Sequence, residues 1–289
     1  MSRQMRIQYE DALYHVTARG NNKQDIYLED SDRYRFLEEL SETVEKFDLI
    51  CYAYCLMSNH YHLMVQTQRA NLSEAIHRLN SQYAGYFNWK HEKIGHLFQG
   101  RFHAILVQRE RYLTELCKYI VLNPVRAHIA RSAADYRWSS YNETCSLSSV
   151  TLVDREVLLG HFGEDRKTAR NRYMEFVAEG CGTTSPLQGV KADLVLGDEG
   201  FVKSLRKRMV ESVLDHEIPA SQRSLLRKPL GSIFEDGTGL IIEFRNKMIL
   251  RACRDFGYSQ IEVSDYLGIS RRTVNRIMKS MRAGNENVP

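Results

Sequence analysis

No stretch of this chain is apolar for long enough to cross a bilayer: the longest such run, Leu49 to Met57, is under half of the ~20 residues a spanning helix needs. The N-terminus carries Arg3 and Arg6 but no apolar segment of the kind a secretory leader requires. A Walker-type glycine loop is absent, which argues against an NTP-driven reaction. The six cysteines, at positions 51, 55, 117, 145, 181 and 253, include no C-x-x-C pair and fall mostly in apolar patterns. That argues against a disulfide scaffold or a closed cysteine-zinc site, and it predicts buried thiols in a soluble, cytoplasmic protein with no membrane partner. Net charge is also small, +4 in 289 residues, too little to argue for nucleic acid by itself. Its distribution says more. From Leu240 to Pro289 nine basic residues (Arg245, Lys247, Arg251, Arg254, Arg271, Arg272, Arg276, Lys279, Arg282) face five acids (Glu243, Asp255, Glu262, Asp265, Glu286), so this segment carries the whole excess.

The length leaves room for about two domains, each with its own core. Ala12 to Ala18 alternates as a strand and runs into the polar turn Arg19-Gly20-Asn21-Asn22. Asp30 to Phe47 places Tyr34, Leu37, Leu40 and Val44 at helical spacing. Leu49 to Met57 and His60 to Thr67 read as strands joined by a tight turn at Ser58-Asn59. Asn71, with Glu74 three residues on, marks a helix start, and Leu72, Ala75, Ile76, Leu79, Tyr83 and Tyr86 form its stripe. Leu97-Phe98 and Phe102 to Val107 flank Gln99-Gly100-Arg101 and read as a hairpin. Strand, helix, strand, strand, helix, strand is the split βαβ order of an α+β, ferredoxin-like domain, an antiparallel sheet with helices on one face. A further helix from near Glu110 buries Leu113, Leu116, Cys117 and Ile120 and leaves Glu115, Tyr119 and Asn123 on another stripe. Pro124 predicts that this helix ends or kinks at Asn123, because proline disfavours helical geometry in the residue before it and removes a backbone donor.

The most informative stretch is Met57-Ser58-Asn59-His60-Tyr61-His62. On a strand, residues i and i+2 share a face, so His60 and His62 project together at a separation of roughly 6 to 7 Å, a bite that suits two imidazoles on one metal ion. Tyr61 faces the other side. Some sixty residues later Tyr119 and Asn123, spaced i and i+4, share one helix face, with Asn123 a candidate third ligand. A metal beside a tyrosine suggests phosphoryl transfer. Bland readings stand beside these: one histidine in the core and the other at the surface, a tyrosine used for packing, and Asn123-Pro124 as an ordinary helix cap. Spacing alone leaves the function open.

Five blocks in order narrow it. Arg19-Gly20-Asn21-Asn22, Met57-Ser58-Asn59-His60-Tyr61-His62-Leu63, Gly95-His96-Leu97-Phe98-Gln99-Gly100-Arg101-Phe102, Tyr119-Ile120-Val121-Leu122-Asn123-Pro124-Val125-Arg126-Ala127 and Tyr136-Arg137-Trp138-Ser139-Ser140-Tyr141 run through about the first half of the chain. Together they resemble the REP-associated tyrosine transposases, single-tyrosine members of the His-hydrophobic-His superfamily. The resemblance implies a catalytic domain over residues 1–141 in which His60 and His62, with Asn123, bind Mg2+ or Mn2+ and Tyr119 is the nucleophile. It implies a substrate of single-stranded DNA beside a hairpin. A phenol is mostly protonated at neutral pH, so Tyr119 needs the metal, a basic neighbour or water to accept its proton. Its attack would leave a 5′-phosphotyrosine and a free 3′-hydroxyl, and rejoining would need no ATP. One tyrosine per chain handles one strand at a time, so a two-ended reaction calls for a homodimer or for successive turnovers of a monomer. Arg19, Arg101 and Arg126 are candidate phosphate contacts.

Residues 142–239 are less informative. Leu152 to Phe162, Arg166 to Glu179 and Phe201 to Leu214 read as helices and 182–186 as a linker, with no role assigned. Residues 240–289 read as a DNA-binding domain of three helices: Ile241 to Phe256, a second capped by Ser259 and ending at Leu267, and a third from Arg271 to Met281 after the turn Gly268-Ile269-Ser270. Val263, Leu267, Ile269, Val274 and Ile277 fall where a helix-turn-helix needs its core, leaving Arg271, Arg272, Thr273, Asn275, Arg276 and Lys279 for duplex DNA. Ser259-Gln260 through Arg276 resembles the helix-turn-helix modules of bacterial regulators and of the replication initiator. Two functions remain in view: a strand transferase, or a regulator that binds a hairpin or duplex without cutting it.

Overall fold

A computed structural model of the chain describes residues 6–146, 151–180, 182–208, 222, 225, 227–234 and 242–285. They form two compact units, one of residues 6–190 with 194–197, the other of residues 191–193 and those from 198 onward.

The first unit is built on an α+β sheet. Its strands are β1 (Leu13–Arg19), β2 (Leu49–Leu56), β3 (His60–Thr67), β4 (His103–Val107) and β5 (Val195–Leu196), in the order β2-β3-β1-β4-β5. β1 pairs antiparallel with both β3 and β4, and β2 pairs antiparallel with β3, which is the ferredoxin-like arrangement expected from the element order. Helices α1 (Asp30–Phe47) and α2 (Leu72–Lys90) make the two crossovers. Phe36 of α1 packs on Tyr61 of β3 (4.9 Å between ring centroids) and on Tyr83 of α2 (5.1 Å), and the Tyr61 hydroxyl donates to Asn80 at 2.7 Å. Tyr61 therefore lies on the α1–α2 face. By the period of two along a strand, His60 and His62 point to the other.

That opposite face is covered by α3 (Arg109–Val121), whose Leu113, Leu116, Cys117 and Ile120 are buried in one core with Leu13, Met64, Ile105 and Val107 of the sheet. Helices Arg155–Gly160 and Arg166–Glu179 join the same core through Leu158, Leu159, Ala169, Tyr173 and Val177. A Cβ on Gly180 would stand 2.7 Å from Lys118 Cδ and 2.8 Å from Leu122 Cδ1, so a glycine here lets the chain pass close to α3.

One local expectation is corrected. Residues 97–107 are not a hairpin. Leu97 to Gln99 and β4 lie along the same side of β1 and its extension: the Leu97 carbonyl accepts from Asn21 N, the Gln99 amide donates to Arg19 O, and Phe98 bridges Gly20, while His103 sits opposite Thr17. The two segments share β1 instead of each other, and Gly100 (φ 67°) and Arg101 form a loop interrupting one strand position. At α2, Asn71 starts the helix without capping it. Its amide donates instead to Phe47 O at the end of α1 (2.9 Å), and Gln8 Oε1 accepts from Ser73 N (2.7 Å).

In the second unit, helices Leu230–Phe234, Ile242–Arg254, Gln260–Leu267 and Arg271–Asn285 share a core of Ile233, Phe234, Ile249, Ala252, Phe256, Val263, Val274, Ile277 and Met278. Ser259 and Glu262 form the reciprocal cap expected of S-x-x-E, Ser259 Oγ accepting from Glu262 N (3.1 Å) and Glu262 Oε2 from Ser259 N (2.8 Å). Gly268 closes the second helix in the left-handed region (φ 63°), where a side chain would be strained. The expected helix at Phe201 to Leu214 is seen as Glu199–Arg208, and residues 209–214 lie outside the described residues. No helix among the described residues is long and apolar enough to cross a membrane.

Candidate active site

The site grows from three neighbouring strands. Register places Thr17 opposite both His62 on β3 and His103 on β4, and Arg19 opposite His60. Side chains of His15, Thr17, Arg19, His60, His62 and His103 thus share one face. The end of this face opens into a cleft of about 320 Å³ lined by Thr17, Ala18, Arg19, His60, His62, Gln99, Arg101 and His103. The loop that interrupts the strand position beside β1 is what brings Gln99 and Arg101 to its rim.

The paired histidines meet as their spacing requires, with ring centroids 5.0 Å apart and planes at 77°. His60 is half-buried, and its Nδ1 is 2.7 Å from Asn59 Oδ1, which leaves Nε2 open. His62 is buried, and its Nε2 has no hydrogen-bond partner among the described residues. Its Nδ1 lies 2.9 Å from His15 Nε2. Burial first, then the other two histidines, pushes His62 well below the usual imidazole range. Burial and the nearby Arg19 lower His60, while burial and His103 push His15 down to about 3. All three rings are therefore neutral at pH 7, the form in which imidazole offers a lone pair.

Tyr119 arrives from α3. Its ring stands edge-on to both His62 and His15, 6.4 Å from each centroid and at 89° and 87° to their planes. Among the described residues nothing hydrogen-bonds its hydroxyl. The Arg126 guanidinium lies 5.1 Å over the Tyr119 ring and donates to Thr183 O at 2.8 Å, so this arginine is anchored beside the tyrosine.

α3 ends at Val121 and a short turn, α4 (Asn123–Arg126), follows with Pro124 at its second position, the break that Pro124 predicts. The consequence falls on Asn123. Pro124 has no N–H to offer the Ile120 carbonyl four residues back, and the Asn123 amide supplies one, donating to Ile120 O at 3.2 Å and Tyr119 O at 3.0 Å. Its nitrogen is thus committed to the helix end, and only its amide oxygen remains for a ligand. Among the described residues no group of three or more His, Cys, Asp and Glu side chains is arranged to hold a metal ion.

Sequence reasoning brought together His60, His62, Tyr119, Arg19, Arg101 and Arg126, and missed His15. The signal was present: His15 alternates with Thr17 and Arg19 on a strand that a ferredoxin-like order places next to His60 and His62. In the second unit Arg271, Arg272, Asn275, Arg276 and Lys279 are exposed on the third helix. Thr273 is half-buried and turned back, its hydroxyl 2.9 Å from Ser270 Oγ.

This arrangement, a ferredoxin-like sheet carrying two adjacent imidazoles under a helix-borne tyrosine, can be set beside known families. Residues 8–123 match the family described as "Transposase IS200 like". The family resemblance of the five sequence blocks is borne out at that level, and the match ends at Asn123. A solved structure described as "Structure of the REP associates tyrosine transposase bound to a REP hairpin" aligns with 53% of this chain and 90% of that chain, at 15% identity and a TM-score of 0.44. No curated protein matches the chain.

Proposed function

We propose that this protein cuts and rejoins single-stranded DNA beside REP-like hairpins, with Tyr119 as nucleophile and a divalent cation held by His60 and His62. The observation that carries the reading is the edge-on approach of Tyr119 to a buried His62 whose Nε2 has no partner. Two neutral imidazoles, the open Nε2 of His60 and the Asn123 amide oxygen suit a cation that keeps coordination positions for phosphate and water. Bound there, Mg2+ or Mn2+ supplies positive charge to the non-bridging oxygens of the scissile phosphate.

The chain's own groups do the rest. Arg19 and Arg101 at the rim of the cleft, with Arg126 beside Tyr119, hold the strand's phosphates by charge. Tyr119 Oη gives up its proton to water and attacks phosphorus, the bond to the 3′ oxygen breaks, and that oxygen takes a proton from water to leave as a 3′-hydroxyl. The 5′-phosphotyrosine retains the phosphodiester's energy. Attack by a 3′-hydroxyl on it restores the phenol and a DNA backbone without ATP.

The three C-terminal helices act as a helix-turn-helix, with Arg271, Arg272, Thr273, Asn275, Arg276 and Lys279 toward duplex DNA. In this reading residues 1–141 catalyse, 240–289 recruit, and the protein works in the cytoplasm as a monomer or homodimer. Incubation of the full chain with end-labelled hairpin oligonucleotides and Mg2+ or Mn2+ tests it. A denaturation-resistant protein–DNA adduct, absent with Tyr119→Phe, is expected. Tight binding of DNA that stays uncut would instead mark a regulator that does not cleave.

A further inference from the structure

His15 is nearly inaccessible, 1% exposed, at the centre of the sheet, and among the described residues it is the one hydrogen-bond partner of the His62 ring. The two imidazoles are nearly parallel, 5° between planes, yet this is no face-to-face stack: the 2.9 Å between His15 Nε2 and His62 Nδ1 shows the rings joined edge to edge by one hydrogen bond, which accounts for the 5.2 Å between centroids. A single proton sits between two neutral rings and has two places to be. On His62 Nδ1, it is donated to His15, and His62 Nε2 carries a lone pair. On His15 Nε2, it is donated to His62, whose own single proton must then occupy Nε2 and block it.

We propose that His15 is a positioning residue that acts as hydrogen-bond acceptor to His62 Nδ1, thereby fixing the ring plane and the tautomer in which His62 Nε2 can take a cation. The inference rests on the reading that His60 and His62 form a cation site. Without a cation neither proton arrangement is favoured by its partners, because His15 Nδ1 and His62 Nε2 are both buried without one. In each arrangement one orphan is a donor and the other an acceptor. A cation at His62 Nε2 satisfies an orphan in the first arrangement alone, so cation binding and the direction of this hydrogen bond are linked. The Tyr119 ring touches both imidazoles edge-on, so the same bond holds the two surfaces against which the tyrosine rests.

The test uses the full chain, Mn2+ titration read by the electron paramagnetic resonance of free Mn2+, and four proteins: wild type, His62→Ala, His15→Leu and His15→Gln. Loss of an outer partner of a metal-binding histidine typically weakens the metal about 10- to 100-fold. That loss is expected for His15→Leu, and recovery to within a few-fold of wild type for His15→Gln, whose amide oxygen can accept the same proton. Equal weakening of both variants in folded protein would assign the effect to packing and overturn the inference. Wild-type affinity in His15→Leu, with affinity lost in His62→Ala, would overturn it and leave the cation site standing. Wild-type affinity in His62→Ala, or no Mn2+ binding by wild type, would remove the site itself. Should His15→Leu fail to fold, nitrogen NMR of histidine-labelled wild type with Mg2+ decides: a proton on His62 Nδ1 supports the inference, and a proton on Nε2 refutes it.

Discussion

Lowering the pH from 7 to 4.5 in EDTA should strip most of the stability from the sheet-bearing unit, and its buried histidines set the slope. An unfolded histidine titrates near 6.5, whereas His15 in the fold is pushed down to about 3, chiefly by burial, and His62 is likewise lowered well below the usual range by burial and its neighbouring histidines. Below pH 6.5 the unfolded chain binds protons that the folded chain refuses, so stability falls as pH falls, and continues to fall toward the folded values. Each such group contributes about 1.4 kcal/mol per pH unit. Two of them across two pH units remove about 5 kcal/mol, comparable with the whole stability of a marginal domain. His60 shifts in the same direction and adds to this. The window lies above the range in which carboxylates such as Asp32, itself held low, begin to matter. The assay is urea unfolding followed by tryptophan fluorescence, since both tryptophans, Trp89 and Trp138, belong to the first unit. His15→Gln, neutral at every pH, should reduce the slope by about 1.4 kcal/mol per pH unit. An unchanged slope in that variant, or a wild-type stability flat between pH 6.5 and 5, would refute the reasoning.

Other perturbations follow from single contacts. Gly20 has ordinary extended backbone (φ −60°, ψ 144°), but a Cβ would lie 2.0 Å from Gln24 O, so Gly20→Ala must shift the turn beside Asn59 and is expected to lower the urea midpoint by about 1–3 kcal/mol of stability. Asp32 is buried and accepts from Leu28 N, Glu29 N, Lys90 Nζ and His91 Nε2 at 2.8 to 3.1 Å; Asp32→Ala strands these donors and should cost on the order of 3 kcal/mol in the same assay. In the second unit, Ser259→Ala removes a cap worth about 1 kcal/mol, which hydrogen exchange at the Glu262 amide should report as about five-fold faster opening. Deleting residues beyond Leu240 should weaken duplex binding in a gel-shift assay while sparing the nicking of short single strands, and equal loss of both would contradict the division of labour.

Local pattern carried much of the fold, and long-range pairing decided the rest. The α1 boundaries, the buried stripe of α3 and the Ser259 cap follow from spacing and capping chemistry within a few residues, and all are found. His60 and His62 were legible for the same reason, since two residues of one strand share a face whatever surrounds it. The Leu97–Val107 hairpin failed because residues 97–99 and 103–107 each satisfy their backbone against β1, a choice of partner that neither segment encodes alone. The side-chain hydrogen bonds of Asn71 and Asn123 were not legible locally, because the carbonyls that take their amide nitrogens lie at Phe47 and at the proline-broken end of α3. His15 went unread because its partner lies 47 residues away on a neighbouring strand.

The nucleophile can be tested at the level of one peptide. Trypsin releases Tyr119 to Arg126, Tyr-Ile-Val-Leu-Asn-Pro-Val-Arg, which contains one hydroxyl and no serine or threonine. After reaction with hairpin DNA and nuclease digestion, mass spectrometry should find a 5′-phosphonucleotide on this peptide through Tyr119. A nucleotide on any other peptide, or cleaved DNA with this one unmodified, would contradict the account.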